Sequence, residues 1–237
     1  TLLRSYADDM KLMDWLENKI WPIEAKMKKE DIYWGAMLGI AEMIKSGTTT
    51  FADMYGDMDQ VAQACIDTDI RAVLSRGIIG VAPNGNQALE ENKILFRDFN
   101  NANDGKITVM FGPHAPYTCP PDFLQKVVKV SEKYNGEIHI HLAETKGEVE
   151  NCLKEYGKTP IALMEKVGIL DRGVLAAHCV HLTDEDIQIM KKYNVRVAHN
   201  PGSNMKLASG VAPVPQLLKA GVCVGLGTDG ASSNNNL

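Results

Sequence analysis

The chain has 237 residues, 45% of them hydrophobic and 23% charged, which suffices for one sizeable core without division into domains. Its 25 basic and 30 acidic residues leave a formal net charge of −5, with no run of Lys or Arg that would mark a nucleic-acid surface. The five cysteines are odd in number, widely spaced and free of any Cys-x-x-Cys pair, which argues against a disulfide framework or a thiolate zinc site and for a reducing, cytoplasmic setting.

The first residues, TLLRSYADDM, carry acids where a secretory signal is apolar, and no later stretch reaches the roughly 20 apolar residues that span a bilayer, so a soluble protein is expected. Trp15 and Trp21 fit the apolar face of a helix, Glu24 a solvated face, and Lys26, Lys28 and Lys29 a solvated helix end. From there, apolar β-rich runs alternate with segments of helical period. Helices are predicted over 31–45, 58–67, 89–100, 121–134, 159–167, 184–192 and 214–220, and strands over 48–53, 71–79, 107–114, 137–144, 173–178, 195–200 and 222–229. Pro121-Asp122 and Thr183-Asp184-Glu185 supply helix starts, and Gly47, Gly168 and Gly221 supply stops.

A spacing of about 30 residues per unit is that of successive βαβ units. Seven strands are one short of the eight in a closed barrel. The rival, an open doubly wound sheet, lacks support because no Gly-x-Gly-x-x-Gly follows any of the strands. The expected fold is therefore an α/β, TIM-like (β/α)8 barrel, with residues 1–237 forming a partial barrel domain. The chain starts without a methionine and stops within a Ser/Asn-rich loop, so the missing strand is expected in flanking sequence.

Polarity falls at the carboxyl ends of these strands, the face on which a parallel barrel gathers its functional loops. Val195, Val197 and Ala198 run into His199-Asn200-Pro201, and Val222, Val224 and Leu226 run into Thr228-Asp229-Gly230. In EIHIHLAE, residues 137–144, His139 and His141 share one face of the strand. His141, nearer the end, is the better metal ligand, and His139 reads as a layer residue inside the barrel. The next strand ends on His178-Cys179. One histidine at such a place would read as a hydrogen-bonded structural residue. Two imidazoles and a carboxylate, His141, His178 and Asp229, could instead converge on a borderline cation such as zinc or iron. The segment after Asn200 is polar: Asn200, Ser203 and Asn204 fit a pocket lining, and Asn-Pro-Gly equally fits a turn. Ser233 falls near Asp229, and residues 234–236 read as a helix start.

Five motifs carry a family resemblance: GPHAPYTC at 112–119, HIHLAET at 139–145, AAHCVHL at 176–182, HNPGSNMKLASG at 199–210 and LGTDGASSNN at 226–235. Together with TLLRSYADD and WPIEAK nearer the start, they resemble the amidohydrolase superfamily over essentially the whole chain, and within it the 5′-methylthioadenosine/S-adenosylhomocysteine deaminase branch. The resemblance implies a His-x-His metal pair on a first barrel strand and a small β-sandwich built from the two termini. Neither motif is found in this chain, and His139-x-His141 matches the fifth-strand motif instead.

The same resemblance implies hydrolytic deamination at one divalent metal, zinc by preference and iron as the alternative, with His141 and Asp229 as metal ligands. Asp229 would also take the proton of the attacking water, Glu144 would protonate the purine ring nitrogen, and His178 would orient the attacking oxygen. Glu144 also fits an acid favoured at a helix start. By family position, Glu24 would accept from the ribose hydroxyls, Trp15 would pack near the nucleoside, His114 would reach the substrate, and Arg76 would meet a carboxylate. Trp15 and Arg76 fit packing and ion-pair roles as well. Some relatives carry a second arginine further on, and residues 84–91 have none, which leaves methylthioadenosine and S-adenosylhomocysteine both open. The expected partner is a small nucleoside, without nucleic acid or membrane, and a homo-oligomer is compatible. Two other readings stay open: a related hydrolase of another nitrogen heterocycle, of guanine deaminase or triazine hydrolase type, and a metal-free barrel with a structural or interaction role.

Overall fold

The computed structural model describes residues 1–7 and 10–235; Asp8 and Asp9 of the first motif, and Asn236 of the expected helix start, lie outside them. The first helical stretch consists of α1 (Leu12–Trp15) and α2 (Trp21–Glu24) on either side of a widened π-turn at Leu16–Ile20. α3 (Lys29–Ser46) opens with the Asp31 carboxylate accepting the Lys28 N–H at 2.8 Å and closes on Gly47, whose φ of +90° favours a residue without a Cβ.

Strands and helices then alternate: β1 (Thr50–Tyr55), α4 (Met58–Thr68), β2 (Arg71–Ile78), α5 (Gly85–Phe99) with a short turn α6 (Ala102–Gly105), β3 (Ile107–Pro113) and α7 (Pro121–Tyr134). After them come β4 (Ile138–Leu142), α8 (Lys146–Tyr156), α9 (Pro160–Val167), β5 (Val174–His178), α10 (Asp184–Lys192), β6 (Arg196–His199), α11 (Pro201–Lys206), α12 (Val214–Ala220), β7 (Cys223–Leu226) and α13 (Ala231–Asn234).

All seven strands join one sheet in the order of the sequence, each neighbouring pair parallel. A doubly wound sheet must reverse its strand order at a switch point. Right-handed crossovers that always step the same way put every helix on one face, and that is how the wall of a (β/α) barrel is built. The chain thus supplies seven strands of the expected TIM-like architecture. No helix among the described residues is long and apolar enough to cross a membrane.

The period of two along each strand sorts side chains between helix layer and barrel axis. On β4, Ile138, Ile140 and Leu142 are fully buried against the helices, in a cluster that includes Phe111, Leu124, Val127, Met164, Met190 and Leu217. Each such side chain contributes about 1.5–3 kcal/mol on burial. His139 and His141, between them, are thereby turned to the other face. A second cluster joins Ile40, Val61, Cys65, Leu74, Ile107 and Val109 beneath α3 and α4.

Several boundaries differ from the sequence pattern, including those that matter for the site. β4 ends at Leu142 and β7 at Leu226, so Glu144 and Asp229 ride in loops instead of closing the strands. Positive φ at Ala143 (+51°) and Asp229 (+60°) breaks the extended ladder. β1 starts at Thr50 and runs through Tyr55, in register with Arg71–Arg76. The stretch KGEVENCLKEY forms α8, a helix outside the expected set although Val149, Cys152, Leu153 and Tyr156 recur at helical spacing; its buried positions are Glu148 and Cys152. Asn200-Pro201-Gly202 starts α11 and is no simple turn: proline at the first helical position is favourable, since its missing N–H has no partner to lose there.

Candidate active site

The strand ends bring histidines from β3, β4 and β5 together. Ring centroids of His114 and His141 are 4.8 Å apart, those of His141 and His178 5.4 Å, and those of His139 and His141 6.3 Å. Burial favours the neutral ring: it pushes His114 and His139 down to about 3, and lowers His141 as well. His139 lies deeper, its Nδ1 3.2 Å from the Ser75 hydroxyl. His141 Nδ1 donates to the His114 carbonyl at 2.8 Å, which leaves the Nε2 lone pair free.

His178 closes β5 with φ +72°. Its Nδ1 is 2.8 Å from Asn204 Oδ1, and since an amide oxygen only accepts, the proton resides on Nδ1. Nε2 then faces two carboxylates, Glu144 Oε2 at 3.8 Å and Asp229 Oδ2 at 3.9 Å. These separations are too long for direct hydrogen bonds and suit a small oxygen species held between the three groups.

The two acids differ in environment. Burial would raise the Asp229 carboxyl, but His178, His141, the Ser203 hydroxyl at 2.7 Å and the Gly230 N–H at 2.8 Å together hold it below the usual range. Glu144 is 4% exposed, and its Oε1 accepts from Ser209 Oγ at 3.2 Å. Burial pushes Glu144 up to about 7. One acid is held ionised and the other is poised to carry a proton, which is the division of labour that acid–base chemistry needs.

The other expected residues have definite partners. His114 Nδ1 lies 3.0 Å from Thr118 Oγ1, and Tyr117 stands edge-on to its ring at 5.7 Å. Glu24 accepts from the Tyr55 hydroxyl at 2.5 Å, and burial raises its carboxyl. Trp15 packs with Ile20 and Leu207, and its buried indole N–H has no hydrogen-bond partner among the described residues. Arg76 shares the side of β2 that carries the buried Leu74 and Ile78; its Nε donates to Glu91 of α5 at 2.8 Å and another nitrogen donates to the Gly77 carbonyl. The structure gathers His114, His141, Glu144, His178 and Asp229, and leaves Arg76 engaged with α5.

Several residues of this cluster have weak signals in sequence. Asn200, Ser203 and Asn204 read as a pocket lining, with Asn-Pro-Gly equally fitting a turn, and Ser209 lies in a loop without periodicity. Glu148 could have been found from Thr145-x-x-Glu148, a helix-capping spacing. Ser233 donates to the Gly230 carbonyl at 3.1 Å, beside the Asp229 loop.

Neutral, fixed imidazole at His141 and an ionised carboxylate at Asp229 are the donor chemistry of a divalent cation such as zinc. Among the described residues, no group of three or more His, Cys, Asp or Glu side chains is arranged to hold a metal ion. The two donors therefore fit part of a coordination shell.

A family model described as the amidohydrolase family matches residues 1–237. A 5-methylthioadenosine/S-adenosylhomocysteine deaminase from Syntrophomonas wolfei is 59% identical over 238 residues, which cover 100% of this chain and 55% of that protein. The chain thus spans about half the length of the curated relatives it matches. Among solved structures, an adenosine deaminase from Xanthomonas campestris with bound zinc superposes with a TM-score of 0.93 at 35% identity, covering 100% of this chain and 54% of that one. A guanine deaminase from C. acetobutylicum with bound guanine gives 0.88 at 24% identity over 98% of this chain and 59% of that one, a likeness of fold.

Proposed function

Because the chain belongs to the amidohydrolase family, we propose that it provides most of the catalytic barrel of a hydrolytic deaminase. The substrates we assign are adenosine thioethers, 5′-methylthioadenosine and/or S-adenosylhomocysteine, converted to the inosine analogue and ammonia. The observation that carries this reading is His178 Nε2 set 3.8 Å from a protonatable Glu144 and 3.9 Å from an ionised Asp229. The deaminase relatives that match the full chain support it.

In this reading, His141 Nε2 and the Asp229 carboxylate would hold a divalent cation, with further donors from the longer protein. Zinc is the assignment, as in the X. campestris relative. Such a cation supplies Lewis acidity and makes water a nucleophile near neutral pH. The chain's own groups do the rest. Asp229 accepts a proton from the attacking water, and His178 Nε2 hydrogen-bonds the attacking oxygen and so aims it. Glu144, protonated near neutrality, donates to the ring nitrogen as the oxygen bonds to the amine-bearing carbon, so that charge does not build on the ring. The proton held by Asp229 passes to the amine, the C–N bond breaks and ammonia leaves, while the remaining hydroxyl proton on the former amine-bearing carbon returns to Glu144 as the carbonyl forms, restoring the acid.

Glu24, held by Tyr55, is assigned to the ribose hydroxyls, His114 and Trp15 to the nucleoside, and Arg76 to a substrate carboxylate where one is present. The five free cysteines fit a cytoplasmic location. The test is ammonia release by the full-length, zinc-loaded protein against a panel of both thioethers, adenosine, guanine and a chlorotriazine. Turnover of neither thioether would sink the reading.

A further inference from the structure

Glu144 reaches the site from a turn that no local preference favours. Ala143, just before it, is fully buried and held at φ +51°, a conformation unfavourable for an L-residue with a Cβ. Two sets of contacts impose it. On one side, both oxygens of Glu148 accept backbone N–H groups, from Ala143 at 2.9 Å and from Glu144 itself at 2.8 Å. On the other, the Ala143 carbonyl accepts from Val180 N–H at 3.0 Å and His181 N–H at 2.9 Å, in the turn that follows His178.

Glu148 is itself fixed. It is 6% exposed, sits in the first turn of α8, and its own N–H is capped by Thr145 Oγ1 at 3.1 Å. In an ordinary capping box such a glutamate reaches back to the N–H of the capping residue. Here it reaches one and two residues further, onto the peptides that aim Glu144. Burial pushes the Glu148 carboxyl up to about 7, while the N–H groups of Glu144 and Ala143 that it accepts favour its ionised form.

We propose that Glu148 is the positioning residue of the proton donor: its carboxylate holds the Ala143–Glu144 peptide in the left-handed turn that points the Glu144 carboxyl at His178. This deepens the deaminase reading and rests on Glu144 being its acid. Glu148→Gln keeps shape and volume but can accept only one of the two N–H groups, and turns its own N–H₂ against the other. Glu148→Asp keeps both acceptors one methylene too far away.

The test uses the full-length, metal-loaded protein with Glu148→Gln, Glu148→Asp and Glu144→Gln in parallel, measuring kcat, KM, bound metal and melting temperature. Expected is a fall in kcat on the order of 10- to 100-fold for both Glu148 variants, from a misplacement of the donor of about 1 Å. KM and metal content should stay at the parent values. A lower melting temperature with kcat unchanged per folded molecule would overturn the positioning role, because a merely structural group predicts that result. If Glu144→Gln loses turnover while the Glu148 variants keep it, the inference alone fails. If Glu144→Gln keeps turnover, the acid assignment fails and the inference with it.

Discussion

Ser209 donates its hydroxyl to Glu144 across 3.2 Å of buried space, although 65 positions separate the two in sequence. This bond favours the ionised form of Glu144, against the burial that favours the protonated one. Ser209→Ala should therefore raise the Glu144 pKa. The basic limb of the kcat/KM profile of the full-length enzyme should move to higher pH, and a limb that stays in place would separate Ser209 from the acid.

The limb itself has a defined sign. Burial raises Glu144 above its ordinary carboxyl range to about 7, so the acid stays protonated through mildly acidic and neutral solution and loses its proton above that. Activity that needs the proton should fall about tenfold per pH unit on the alkaline side. A profile flat from pH 6 to pH 9 would contradict the assignment.

Metal content separates ligands from bystanders. His141→Ala removes the imidazole whose Nε2 is free, and Asp229→Asn removes an ionised carboxylate. Groups that only orient metal ligands cost about 10- to 100-fold in affinity when changed, so direct ligands should cost at least the upper end of that range. Elemental analysis of the purified full-length variants checks it, with His139→Asn as the comparison that retains metal.

Asn92 is completely buried on α5 and spans two backbone groups of β3, donating to the Met110 carbonyl and accepting from the Gly112 N–H, both at 3.0 Å. Asn92→Ala leaves both unpaired in a site that a new side chain cannot fill. The expected loss of stability is about 3 kcal/mol, read from urea midpoints of the full-length protein.

The assignment of Arg76 to a substrate carboxylate can be tested through Glu91. Glu91 already occupies its Nε at 2.8 Å. If the guanidinium is the receptor for a substrate carboxylate, Glu91→Gln frees it, and kcat/KM for S-adenosylhomocysteine should rise several-fold relative to methylthioadenosine, within the 1.5–3 kcal/mol of a charged hydrogen bond. An unchanged ratio assigns Arg76 to the packing of α5 on β2.

The sequence pattern is most informative where burial writes a period. Ile138, Ile140 and Leu142 alternate with His139 and His141, and β4 could be read with its two faces in place. β2 is legible to within a residue at its end for the same reason. Legibility fails where the chain leaves regular geometry. Glu144 and Asp229 look like strand ends in sequence but follow left-handed turns, which no alternation encodes. α8 is legible from Val149, Cys152, Leu153 and Tyr156 at helical spacing, but its burial of Glu148 is not, since an acid at that place reads as a solvated helix start. Asn204 fits a pocket lining in sequence, but its bond to His178 Nδ1 is a relation that only the folded positions of α11 and β5 create.

The Ala143 carbonyl, shared by the amides of Val180 and His181, has a practical consequence for anyone altering the specificity of this protein. The loop after β4 and the loop after β5 are stitched at their backbones, so neither is a free module. A chimera that takes residues 143–148 from one homologue and 178–181 from another inherits a mismatched seam, and libraries that randomise these positions should transplant both halves as one cassette.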